Sequence, residues 1–202
     1  MFPLSSVLFP HMPLALRVFE QRYLVMLARV LQLDDPDFGV VLIERGQEVG
    51  GGERRFSTGV IARIVEITTS NGILELVAEG RERIEVEEWL DDDPHPIADA
   101  RVLEEFVWHN DLTELFDSTE RTVRRTLARA SEFTDIAWSP DVTLDDDPVA
   151  RAWQLAAIAP VATLDQVALV GSDSLRELLE MTSHLCLAFD ATLEAVWDAD
   201  DD

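Results

Sequence analysis

The 202-residue sequence contains no lysine; all 16 of its basic residues are arginines. This absence excludes a Ser–Lys dyad, a Schiff-base lysine and the lysine of a phosphate-binding loop, each of which needs that side chain's amine. Cysteine is almost missing too. The single Cys186 leaves no internal disulfide and no zinc site built on several thiolates. Four histidines, His11, His95, His109 and His184, are scattered, and no two stand at metal-ligand spacing. No Gly-x-Ser-x-Gly occurs, and no serine has an evident base beside it, so a hydrolase is disfavoured. No apolar run reaches the ~20 residues of a membrane-spanning helix. The apolar N-terminus carries no basic stretch and is interrupted by Pro3, Pro10 and Pro13, so it does not read as a signal peptide. These absences lead to the expectation of a cytoplasmic protein without metal or cofactor.

Acid is what the chain has in excess. Forty acidic residues against 16 basic ones give a net charge of −24. Such a surface repels phosphate backbones and anionic lipid, so neither nucleic acid nor membrane is an expected partner. It favours basic or unfolded polypeptide at low salt. The 47% hydrophobic fraction is enough for a sizeable core and argues against global disorder. Runs of Asp at 91–93, 145–147 and 200–202 lack the spacing of a calcium loop and read as solvated loop ends. Gly50-Gly51-Gly52 lies between Glu48 and Glu53 and reads as a flexible loop, not a phosphate cradle.

The three prolines bar a helix across the first stretch, which reads as the first strand of a sheet. A helix follows from near Phe19, with Phe19, Tyr23, Met26, Leu27, Val30 and Leu31 as its apolar stripe. Strands are expected over 38–43, 56–68, 73–78, 83–89 and 97–103, with an Asn71-Gly72 hairpin turn and a break or bulge at Gly80. Near Trp108 the apolar period changes from two to about 3.6. Leu112, Leu115, Phe116, Val123, Leu127, Ala130 and Phe133 then mark one helical face. Capping boxes are read at Asp111/Glu114 and Thr163/Gln166, and Asp147-Pro148 as N-cap and first helical residue. A last helix starts near Ser174. Strands first and helices later make an α+β chain. Its expected divisions are 1–107, a β-rich domain; 108–197, an α-helical subdomain; and 198–202, an acidic frayed tail. Arg121, Arg124, Arg125 and Arg129 are expected to pair with Glu114, Glu120 and Glu132.

Several motifs carry a family resemblance. They are Phe2-Pro3-Leu4, Leu8-Phe9-Pro10 and Leu16-Arg17-Val18-Phe19-Glu20 with Arg22-Tyr23, followed by residues 38–43, 46–51, 59–64 and Gly80-Arg81-Glu82-Arg83. In this order they resemble the N-terminal, substrate-binding domain of Lon proteases, and in particular short bacterial proteins that hold this domain alone. More weakly, 165–169 and 175–178 extend the match. Two positions depart from it: His11, where glycine is commoner, and Gln21, where proline is commoner. His takes positive φ less easily than Gly, and Gln21 lacks a pre-set helical φ.

The resemblance implies an N-terminal PUA-like β pseudo-barrel with a packed helix, followed by a C-terminal helical bundle. It implies a non-catalytic module recognising unfolded or damaged polypeptide, working with a separate protease or chaperone. With no lysine, the resemblance stops short of ATPase and peptidase chemistry. Other PUA-like domains bind RNA, a reading that the charge opposes. Phe2, Phe9, Met12 and Phe56 are candidates for the peptide-binding surface, each of them equally able to fill the core. Arg17, Glu20 and Arg22 read as a charged group fixing strand to helix.

Overall fold

Apolar segments punctuated by proline form short strands, and the first eighteen residues do so twice. The structure, a computed structural model, describes residues 1–45, 54–70 and 73–200. Strand β1 (Phe2–Leu4) pairs in parallel with β3 (Asp37–Arg45), Phe2 lying opposite Val40. Strand β2 (Pro13–Val18) pairs antiparallel with β5 (Ile73–Leu90). The single opening strand expected from sequence is therefore two strands in different parts of the sheet. A turn at residues 9–12 separates them. Its Met12 N–H donates to the Phe9 carbonyl at 3.3 Å, and His11 adopts φ 59° there, so the turn keeps positive φ without glycine.

Strand β4 (Arg54–Ser70) lies between β3 and β5, and β6 (Ile97–Val102) joins the later half of β5. The order is β1-β3-β4-β5-β2, with β6 off that path on β5. The β4–β5 register shifts between Val60 and Ala62 and between Ile64 and Glu66. Such bulges bend long strands and increase their twist. Gly80 lies inside β5 and does not end it; of the break or bulge expected there, the bulge forms, since the shift between Val60 and Ala62 falls between Arg83 and Gly80 on β5. The expected Asn71-Gly72 turn and the loop at 50–52 fall outside the described residues; Ser70 pairs with Ile73.

Helix α1 (Gln21–Val30) buries Tyr23, Met26 and Leu27. Phe19 is not on its stripe: the helix starts only after Glu20, and Phe19 is 63% exposed. Phe2 stacks on Tyr23 with ring centroids 4.0 Å apart. The Arg22 guanidinium sits 4.6 Å above the same ring and pairs with Glu20 at 3.3 Å. Val40, Val60, Ala62, Leu76, Ala78 and Ile84 complete this core. The Met1 amine donates to the Pro96 carbonyl at 2.8 Å. That bond joins the residue before β1 to the residue before β6, so the sheet curls and brings its distant strands together.

The described residues fall into two compact units, Met1–Glu105 and Phe106–Asp202. In the second, a 3-10 turn (Asn110–Leu112) leads into α2 (Thr113–Ala130), followed by α3 (Pro148–Ile158), α4 (Thr163–Val170) and α5 (Leu175–Asp200). Asp147 caps α3 as expected: its Oδ1 accepts from the Val149 and Ala150 N–H groups. The two expected capping boxes do not form. The 3-10 turn displaces Asp111, so Leu112 is the N-cap of α2, and α4 starts one residue early with Ala162 as its N-cap. At α5, Ser174 Oγ accepts from Glu177 N–H at 3.2 Å, while the Glu177 carboxylate accepts from Asp173 N–H at 2.7 Å. Helix α5 runs on to Asp200, into the segment expected as a frayed tail. Phe133 lies beyond the end of α2 and is exposed.

Candidate peptide-binding face

One face of the first unit, shared by β4, β5 and β2, carries an open groove. The register places Glu66, Val77 and Ala15 in one row across the three strands, and Thr68, Glu75 and Arg17 in the next. Side chains alternate across a sheet, so these six share a face. Together with Leu16 and Leu76 they line an open groove of about 460 Å³. Ala15 and Val77 supply its apolar side chains, Leu76 being buried on the opposite face, and Glu66, Thr68, Glu75 and Arg17 supply polar groups. Strand β2 ends the order of the sheet, so among the described residues it pairs on one side only.

The charges on and near this face are largely matched. Arg17 Nε lies 3.2 Å from Glu75 Oε1, both side chains being well exposed, so the pair stabilises little. Arg63 donates twice to Asp37, each bond 2.7 Å, and lies 3.0 Å from Asp35. Its hydrogen bonds to Asp37 hold the guanidinium proton still more firmly than usual. Arg81 pairs with Glu79 at 3.7 Å. Glu66 is exposed and has no ion pair among the described residues.

None of the four candidates drawn from sequence lines this groove. Phe2, Phe9 and Met12 are buried in the core of the unit, where their apolar area is already used. Phe56 is half-buried on β4. The residues that do line the groove were missed. The extended character of the first stretch and the strand at 73–78 were legible, but the pairing of β2 with β5 is long-range and has no local signal.

Among the described residues no cluster of three His, Cys, Asp or Glu could hold a metal ion. Cys186 is buried, and burial with the neighbouring Asp190 carboxylate pushes its thiol up to about 12, so it stays protonated at neutral pH. The arginine cluster on α2 is occupied from within. Arg124 pairs with Glu120 at 2.7 Å, as expected. Arg125 and Arg129 instead approach the buried Asp190 of α5 at 3.5 and 3.6 Å, and Thr126 donates to it at 3.0 Å. Glu114 and Glu132 are not their partners, because the two arginines turn toward the α2–α5 contact. No helix among the described residues is long and apolar enough to cross a membrane.

The chain is a mixed α+β fold with a six-stranded sheet and five helices. Residues 1–187 match the family model of the ATP-dependent protease La (LON) substrate-binding domain, and the chain belongs to that family. Its fold is shared by the Lon N-terminal domain protein from Xanthomonas campestris, whose crystal structure aligns with a TM-score of 0.60 at 24% identity, covering 89% of this chain and 92% of that one. The N-terminal domain of Mycobacterium avium complex Lon protease aligns with a TM-score of 0.62 at 15% identity, covering 91% and 96%. None of the curated proteins matches the chain significantly.

Proposed function

We propose that this chain is a non-catalytic module that holds extended segments of unfolded or damaged polypeptide against the free side of β2. The observation that carries this reading is the edge position of β2 beside a partly apolar groove. An edge strand offers backbone donors and acceptors to an incoming strand, and flanking pockets sort its side chains. Membership of a substrate-binding family agrees with it. The curled sheet would then be a PUA-like pseudo-barrel and the helical unit a bundle. The module would work in the cytoplasm and pass clients to a separate protease or chaperone. Nucleic acid is opposed by the net charge of −24.

Fluorescence anisotropy with a labelled, permanently unfolded polypeptide tests the proposal. Binding is expected for the intact chain, and at least tenfold weaker binding for Ala15→Arg, which fills the groove with a long cationic side chain from an exposed strand position in the row of Glu66. Equal binding by a variant that retains its circular dichroism spectrum would move the site elsewhere. No binding by the intact chain would end the reading.

A further inference from the structure

The charge pattern of the groove defines what kind of segment it takes. We infer that it prefers extended segments carrying a basic side chain, with the Glu66 carboxylate as the acceptor. This rests on the peptide-binding reading above and deepens it.

The nearest arginines along the three strands are already engaged. Arg17 pairs with Glu75, Arg63 with Asp37 and Asp35, and Arg81 with Glu79. An acidic segment arriving at this face would have to break one of those pairs. A basic segment would not, because Glu66 is exposed and without an ion pair among the described residues. Glu66 stands in the same row as Val77 and Ala15. A lysine or arginine can lay its methylene stem along that apolar row while its charged head meets the carboxylate. The groove has both parts of such a site at the spacing of adjacent strands, about 4.8 Å. The net charge of −24 acts in the same direction at longer range, concentrating basic chains near the surface before they dock.

Three labelled disordered peptides of one alternating Val/Thr pattern separate the possibilities, differing only in whether the remaining positions are Lys, Gln or Glu. Anisotropy is measured at low and at moderate salt. The Lys peptide is expected to bind roughly three- to fivefold tighter than the Gln peptide, the size of an exposed ion pair, and the Glu peptide weaker than either. Glu66→Gln should remove most of that preference while leaving the affinity for the Gln peptide unchanged. Glu132→Gln, an exposed substitution in the other unit, should keep the preference. Equal binding of the Lys and Gln peptides would overturn the inference and leave the peptide-binding reading intact. So would a preference that survives Glu66→Gln, since it would then belong to the overall charge. Failure of all three peptides to bind would overturn both.

Discussion

The backbone of Gly80 is packed directly against that of Phe9: a Cβ on Gly80 would collide with the Phe9 carbonyl oxygen. Reciprocal bonds flank the contact. Gly80 N–H donates to the Met12 carbonyl at 2.9 Å, and His11 N–H donates to the Gly80 carbonyl at 2.8 Å. Gly80 is thus where β5 docks the turn between β1 and β2.

Gly80→Ala is expected to destabilise the chain by about 2–3 kcal/mol, because the atom it meets is backbone and cannot rotate away. Urea unfolding checks this through the midpoint. A shift below about 0.5 kcal/mol, the range of a neutral surface change, would mean that the turn does not pack on Gly80.

His11→Gly should act in the opposite direction. A non-glycine residue at φ 59° bears a steric cost that glycine lacks, partly offset by glycine's greater freedom when unfolded. A gain of up to about 1 kcal/mol, or roughly 2–4 °C in Tm, is expected. A loss of stability would show that the His11 side chain contributes more than its backbone strain removes.

Stability should fall as pH drops from 8 to 6. Burial, with help from the Arg55 charge, lowers the Met1 amine from 8.0 to about 6. Burial also lowers His95, whose Nε2 lies 3.4 Å from Arg29 Nη1. Both groups bind fewer protons folded than unfolded, so their contribution is complete above the unfolded value and is lost as protons are forced on. A two-unit shift corresponds to about 2–3 kcal/mol for the amine. The window lies above ordinary carboxylate titration, which isolates these groups. Urea midpoints that stay level or rise between pH 8 and pH 6 would contradict the buried placement of the two groups.

Much of the fold was legible because it is written locally. Alternation marked the strands from Asp37 to Val102 to within a few residues, the 3.6 period marked α2 and α5, and Asp147-Pro148 marked the start of α3. What failed was long-range or competitive. Phe19 fitted the helical period, yet the chain is extended up to Glu20. Thr119 and Thr126 are fully buried in α2 because each hydroxyl finds an acceptor on α5, Leu179 carbonyl and Asp190 carboxylate, which no pattern in α2 announces. The groove was illegible for the same reason: its rows exist only once β2, β4 and β5 are aligned. Large aromatic residues near the N-terminus were natural candidates for a binding surface, and Phe2 and Phe9 were instead drawn inside by the area they bury.

The partner of Leu16 in the sheet is Leu76, so on a ribosome β2 has nothing to pair with until some sixty more residues have been added. At ordinary synthesis rates that is several seconds in which β2 stays open. On the proposed function, a domain that receives unfolded chains would thus begin its own existence as one, and chaperone capture of the nascent protein should cease once the codons for β5 have been read and its residues have cleared the exit tunnel.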